Sequence, residues 1–98
     1  MNVWTATTPS TVRETVNWTA LLPPYRVILH NDEHNSMEGV VAGLIKSVPL
    51  STEEAIAIMM EAHNSGRALV IVCPLELAEL YQERLESFGL TSTIESDR

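Results

Sequence analysis

A short polar segment carries most of the side chains that could do chemistry. Residues 30–35 read HNDEHN, so two imidazoles, two carboxylates and two amides follow one another between apolar stretches. These groups can ligate a metal, transfer protons or hold a cation through hydrogen bonds. A third histidine, His63, interrupts an otherwise apolar pattern. Because binding residues concentrate on loops between rigid elements, residues 30–35 are the first candidate site.

A zinc site is one interpretation of these residues. His30, Asp32, His34 and His63 offer the imidazole and carboxylate ligands that zinc accepts. Their spacing matches no established ligand motif such as HExxH. We therefore expect neither a metal nor a cofactor.

Catalysis by the single cysteine is a second interpretation. Cys73 ends an apolar run against Pro74, where a buried, inert thiol is far more common than a nucleophile. We therefore predict that the protein is not an enzyme and has no catalytic residue.

One cysteine cannot form an intrachain disulfide, no apolar run approaches the ~20 residues of a membrane helix, and no secretory signal is evident. These features predict a cytoplasmic location.

The third interpretation is a polar cradle beside an apolar pocket. Asn31 and Asp32 offer acceptor oxygens, and His63 offers a ring nitrogen. The apolar residues that could line the pocket come from the flanking elements: Leu29, Met37, Val40 and Met59. Such a site would hold a cation joined to a hydrophobe, for which an amino-terminal leucine or aromatic residue is suited. The alternative is a polar turn with a helix cap, together with a core histidine bonded to the backbone.

Six elements must position these residues. Residues 25–29 are β-branched and aromatic and follow two prolines, which predicts a strand that enters the loop. The next helix is predicted to begin at Asn35, which has capping spacing to Glu38, and to end before Pro49. Its apolar residues recur at helical spacing: Met37, Val40, Val41, Leu44, Ile45 and Val48.

The second helix is predicted to begin at Ser51, which has capping-box spacing to Glu54. It should end near Asn64, because Gly66 can supply a left-handed stop. We expect its apolar stripe to contain Ile56, Met59, Met60 and His63.

The remaining elements are a strand, a helix and a strand. Residues 68–73 form a nearly continuous apolar run, which is typical of a buried central strand. Pro74 suits the first turn of a third helix, which should end at Gly89. Residues 90–95 alternate as in a short final strand. The apolar side of the third helix is predicted to contain Leu77, Leu80, Tyr81, Leu85 and Phe88.

The order β-α-α-β-α-β predicts an α+β fold with three strands covered by helices. The chain has 98 residues, enough for one small domain. We expect residues 1–23 to be a flexible tail, residues 24–95 a core domain and residues 96–98 a C-terminal tail.

A formal net charge of −7 disfavours nucleic acid as a partner and favours a cation such as a free protein amino terminus.

Two segments carry a family resemblance: YRVILHNDEHNSMEGV at residues 25–40 and EEAIAIMMEAHNSGRALV at residues 53–70. They resemble the ClpS family of adaptors for Clp AAA+ proteases. The family pattern is a strand, an Asn-Asp-Asp/Glu loop, a Met-Glu helix start and a later Met, His and Gly. The resemblance covers about residues 24–95. With it, we expect the three strands to form an antiparallel sheet.

The resemblance implies an adaptor that binds the free N-terminal amine and bulky first residue of N-degron substrates, namely Leu, Phe, Tyr or Trp. It implies delivery of these substrates to a Clp unfoldase for degradation. By motif position, the residues for the α-amino group are Asn31, Asp32 and His63. Those for the hydrophobic pocket are Leu29, Asn35, Met37, Val40, Met59 and Ala62, with Met37 screening out β-branched side chains. Those for the unfoldase contact are Glu76 and Glu79, and the tail serves in delivery.

Several positions depart from the family pattern. Residues 34–36 read HNS where many members have YTP, and Gly39 replaces a common aromatic residue. Ala62 stands where valine is frequent, which should widen the pocket, and Tyr81 replaces a familiar lysine. The connection before residues 89–95 is short, as in the second adaptor paralogue of cyanobacteria. That similarity implies a ClpC-type rather than a ClpA-type unfoldase.

A structural interaction domain, similar to the C-terminal domain of the ribosomal stalk protein, is the alternative. Such a domain shares the element order but lacks a pocket. Because fold does not decide function, the loop and His63 discriminate between the two.

Overall fold

The computed structural model describes residues 22–98 of the chain. The flexible tail predicted for residues 1–23 lies outside the described residues except at Leu22 and Pro23. The elements are β1 (Pro24–His30), α1 (Met37–Ser47), α2 (Thr52–Ser65), β2 (Arg67–Pro74), α3 (Leu75–Ser87) and β3 (Thr91–Ser96). The order β-α-α-β-α-β and the α+β class are therefore confirmed. Within residues 22–98, none of the helices has the length and apolar character that a membrane span requires.

The three strands form one antiparallel sheet in the order β2-β1-β3. β1 is the central strand, so the prediction that residues 68–73 form a central strand is wrong. β2 is an edge strand, and its Leu69 and Val72 are 45% and 44% exposed. Hydrophobic residues occupy both faces of β2, although one face is exposed. A continuous apolar run in the sequence therefore predicted burial on both faces.

A β-bulge interrupts the pairing of β1 with β2. Val27 pairs with Ile71, whereas the next residue of β1, Ile28, pairs with Leu69. Val70 is therefore the extra residue on β2. Such an insertion bends the strand and increases its local twist.

The core lies between the sheet and the helices. α2 faces this core with Ala55, Met59 and Ala62, all of them buried. Ile56 and Met60 are 44% and 39% exposed, so the predicted stripe of α2 is wrong apart from Met59. Small side chains allow the backbone of α2 to pack closely, whereas the prediction favoured the larger apolar residues.

The other two helices bury both small and large residues at their contacts with the core. α1 buries Gly43, Leu44 and Ser47. α3 buries Ala78, together with the predicted Tyr81 and Leu85. The remaining residues of the predicted apolar side of α3 are more than a third exposed, namely Leu77, Leu80 and Phe88.

The helix ends follow local sequence signals, with one correction. Ser51 and Glu54 form the predicted capping box at the start of α2. α1 is capped by Ser36, whose Oγ accepts from the Gly39 amide at 3.0 Å, and not by Asn35. Ser36 lies one residue closer to the helix, and the side chain of Asn35 has other partners.

Gly66 joins the end of α2 to the loop after β1. Its φ is 92°, in the left-handed region, and its N–H donates to the Ala62 carbonyl at 2.8 Å. The Gly66 carbonyl accepts from the Asn31 N–H at 2.9 Å. The predicted left-handed stop is therefore confirmed, and it also holds the polar loop against α2.

The change Gly66→Ala is expected to lower the free energy of unfolding by about 1–2 kcal/mol, the cost of a left-handed conformation for a residue with a Cβ. Apart from the residue itself and its two chain neighbours, no atom lies within 4 Å of the position that this Cβ would occupy, so the cost comes from the backbone conformation alone. Urea unfolding of the two proteins measures it. Ser65→Ala, at the exposed preceding residue, is the control and should have little effect. Equal stability of the Gly66→Ala variant would contradict the role of the turn.

Candidate functional site

A cavity of about 470 Å³ opens beside the loop between β1 and α1. It is bounded by that loop, the first turns of α1 and the second half of α2. The lining residues are Leu29, His30, Asn31, Asp32, Glu33, Asn35, Ser36, Met37, Val40, Met59, Ala62, His63 and Leu90. The structure therefore brings together all of the residues predicted for the amine and for the hydrophobic pocket. Which ligand they bind stays a prediction.

The deep end of the cavity is apolar. Leu29, Met59 and Ala62 are buried there, and so is Leu90, which is 3% exposed. Met37 is 42% exposed and therefore lies at the rim. The cavity thus runs from a solvent-exposed mouth to an apolar base, a form suited to an apolar side chain.

The mouth of the cavity is polar. Asn31 and His63 are exposed, and neither side chain forms a hydrogen bond to another residue in the range 22–98. The Asn31 backbone is held by its bond to the Gly66 carbonyl, three residues beyond His63. Both side chains are thus attached to a fixed backbone and have polar atoms available for a ligand. The prediction that His63 continues a buried stripe is wrong, because α2 turns it to the surface.

Asp32 orders the loop as well as lining the cavity. Its Oδ1 accepts from the backbone amides of His34 at 2.8 Å and Asn35 at 2.9 Å. Desolvation raises the pKa of Asp32, but the hydrogen bonds from these two amides and from the Asn35 side chain together lower the pKa below its usual value. Asp32 is therefore an anion at neutral pH and places a negative charge beside the cavity.

The side chain of Asn35 connects this loop to the turn before β3. Its Nδ2 donates to both carboxylate oxygens of Asp32, at 3.2 and 3.0 Å. The same group donates to the Gly89 carbonyl at 2.9 Å. Asn35 therefore fixes the Asp32 carboxylate relative to the turn that precedes Leu90.

Four residues of the lining are outside the sets predicted for the amine and the hydrophobic pocket: His30, Glu33, Ser36 and Leu90. His30 and Glu33 lie in the candidate segment 30–35, whereas Ser36 and Leu90 were missed. His30 is also hydrogen-bonded across the sheet, with Nε2 2.7 Å from the Thr93 Oγ1. The predicted alternation of apolar and polar residues over positions 90–95 is consistent with the burial of Leu90, which lies just before β3. The contact of Leu90 with the cavity could not be predicted from this alternation, because that contact depends on how the turn before β3 packs against α1.

The alternative sites do not assemble. Within residues 22–98, no three His, Cys, Asp or Glu side chains are close enough to hold a metal ion together. Cys73 is buried away from the cavity, and desolvation raises the pKa of its thiol, which disfavours the reactive thiolate. Glu76 and Glu79 are exposed on α3 and do not line the cavity.

Replacing Asp32 by asparagine is expected to lower stability at neutral pH and to have less effect in acid. The folded-state pKa lies below the unfolded value of 3.8, so the contribution of the charge is present well above 3.8 and is lost as the pH falls through the folded-state pKa. Urea unfolding at about pH 7 and about pH 3 measures the difference. Glu33→Gln removes the same charge from the exposed next residue and should matter little. A difference that persists unchanged in acid would contradict this role of the carboxylate.

Comparisons with known proteins identify the family. The family model for the ATP-dependent Clp protease adaptor protein ClpS matches residues 21–93. A ClpS adapter of Prochlorococcus marinus is 58% identical over 76 residues, which are 76% of this chain and 72% of that protein. A ClpS adapter of Synechococcus elongatus is 52% identical over 85 residues, 86% of this chain and 90% of that protein.

A solved structure agrees with these sequence matches. Agrobacterium tumefaciens ClpS2, bound to L-phenylalaninamide, superposes with a TM-score of 0.73 at 30% identity, covering 76% of this chain and 98% of that one. The family model and the relatives each cover most of this chain, so the chain belongs to the ClpS family of ATP-dependent Clp protease adaptors.

Proposed function

We propose that the protein binds the free N-terminal amine and the bulky first side chain of N-degron substrates and delivers them to a Clp AAA+ unfoldase for degradation. The observation that carries the proposal is the cavity, which has an apolar base and hydrogen-bond acceptors at its mouth. The substrate side chain, Leu, Phe, Tyr or Trp, would occupy the base. The ammonium group would lie at the mouth.

The acceptors at the mouth suit an ammonium ion. A protonated amine has up to three N–H donors, and Asn31 and His63 each offer an acceptor. Asp32 adds a negative charge nearby while its oxygens hold the loop. An internal residue of a protein would bind poorly, because an amide nitrogen carries one donor and no charge and would leave acceptors unpaired.

The expected affinity is modest because the interface is one residue wide. Burial of a Leu or Phe side chain contributes roughly 1.5–3 kcal/mol, and each hydrogen bond to a charged group contributes roughly 1.5–3 kcal/mol. Association costs offset part of this sum. A dissociation constant of roughly micromolar order follows.

The neighbouring structure supports the ligand class. Agrobacterium tumefaciens ClpS2 is bound to L-phenylalaninamide, which has a free α-amino group and an aromatic side chain. This chain shares the fold of that protein, and its own cavity is lined by hydrogen-bond acceptors and apolar residues, which supports the same class of ligand.

For the unfoldase, we propose contact through α3. Glu76 and Glu79 are exposed there, and Leu77 and Leu80 beside them are 37% and 38% exposed, which gives a mixed acidic and apolar surface. A ClpC-type unfoldase in the cytoplasm is the proposed partner, in keeping with the resemblance to the cyanobacterial paralogue. ClpS adapters of cyanobacteria are also among the relatives.

Acetylation of the amino terminus of a Leu- or Phe-initiated peptide is expected to abolish binding, because it removes the charge and two of the donors. His63→Ala should weaken binding of the free peptide, and His34→Ala, at an exposed histidine that does not line the cavity, should not. Fluorescence anisotropy of labelled peptides measures both effects. Equal affinity for blocked and free peptides would refute the proposed function.

The change Met37→Ala is expected to admit peptides that begin with Val or Ile, since it removes the side chain at the rim that would contact a branched Cβ. Met37 is 42% exposed, so its truncation should cost far less stability than the ~2–5 kcal/mol of a buried methionine. Met60→Ala is the matched control, because Met60 is 39% exposed on α2 and does not line the cavity. Unchanged selectivity in a folded Met37→Ala variant would remove Met37 from the proposed mechanism.

A further inference from the structure

Gly43 lies on the buried face of α1, directly behind Leu90. A Cβ placed on Gly43 would lie 2.8 Å from the Leu90 Cδ1, 3.5 Å from its Cγ and 3.4 Å from the Phe88 Cβ. Two carbon atoms do not approach to 2.8 Å without a shift, because their optimal separation is about 3.5–4.0 Å. Leu90 therefore occupies space that exists only because residue 43 has no side chain.

Leu90 also lines the cavity. The backbone around Leu90 is fixed, since its N–H donates to the Leu85 carbonyl at 3.1 Å and the preceding Gly89 carbonyl accepts from Asn35 at 2.9 Å. A side chain at residue 43 would consequently displace the Leu90 side chain and not its backbone. Protein interiors are closely packed, and the open space beside Leu90 is the cavity. The displaced methyl groups would move into it.

We propose that Gly43 sets the depth of the cavity through Leu90, and that this depth selects aromatic over aliphatic first residues. Gly43 is thus a positioning residue for the specificity of the site, and the inference rests on the proposed function. Because Leu90 is 3% exposed, it lies at the deep end of the cavity. Trp, Phe and Tyr side chains reach that end, whereas a leucine side chain is shorter.

The competing explanation is that Gly43 only destabilises the helix and has no role in shaping the cavity. Glycine within a helix is less favourable than alanine by about 0.8–1.0 kcal/mol, so Gly43→Ala would then stabilise the protein and leave binding unchanged. α1 contains a matched control in Gly39. Gly39 is exposed, does not line the cavity, and a Cβ there would meet only the Ser36 Oγ, at 3.1 Å.

The test compares peptides that differ only in the first residue, Trp, Phe or Leu, all with a free amino terminus. In Gly43→Ala, affinity for the Trp and Phe peptides should fall about tenfold relative to the Leu peptide, near the effect of one methyl-sized change in an apolar pocket. Gly39→Ala should leave these ratios unchanged. Adding Leu90→Val to Gly43→Ala should restore them, since the shorter side chain removes the contact.

The outcomes separate this inference from the proposed function. In one outcome, the unsubstituted protein binds these peptides and Gly43→Ala shows the same ratios of affinity for the Trp, Phe and Leu peptides. That result overturns the inference and leaves the proposed function standing. If the unsubstituted protein binds none of them, both are overturned. Should Gly43→Ala fail to fold, Leu90→Val alone carries the test. It should raise the preference for Trp over Leu, and an unchanged preference overturns the inference.

Discussion

Gly66 ends α2 with a φ of 92°, and its carbonyl accepts the Asn31 N–H at 2.9 Å. Two segments far apart in the chain meet at this single turn. His63 lies in the last turn of the helix that Gly66 terminates, and Asn31 begins the polar loop that Gly66 holds. The spacing between these two side chains is therefore set by backbone geometry and not by flexible contacts. The acceptors at the cavity mouth depend on this turn for their common position.

A second set of contacts holds the opposite wall. Asn35 joins the Asp32 carboxylate to the Gly89 carbonyl, so the loop is tied to the turn after α3 as well as to α2. Both Leu90 and Ala62 are buried and line the cavity. This arrangement explains how a loop rich in polar residues can border an apolar pocket. The Asp32 carboxylate accepts from loop amides and from the Asn35 side chain, while Asn31 is exposed at the mouth.

Local signals in the sequence were sufficient for the element order and for most helix ends. Ser51, Glu54 and Gly66 form helix-capping hydrogen bonds to residues at most four positions away in the chain. Their roles can therefore be predicted from sequence spacing. The edge position of β2 and the buried face of α2 could not be predicted in this way. The edge position of β2 depends on the order of the strands, and the buried face of α2 depends on alanines that let the helix pack closely against the core. Neither feature produces a periodic pattern of hydrophobic residues. Residue chemistry alone groups most of the site residues, and the resemblance adds Asn35 and Ala62. Leu90 is missed because its contact with the cavity arises only in the packed structure.

The bulge at Val70 has a consequence for the free edge of β2. β2 is an edge strand of eight residues with exposed apolar side chains, and such edges add extended segments of other chains by backbone pairing, with little regard to their sequence. The bulge disrupts the regular ladder in the middle of β2, and Pro74 lacks a donor at its end. An extended segment of another chain therefore finds no regular template there, which disfavours the addition of a strand at this edge.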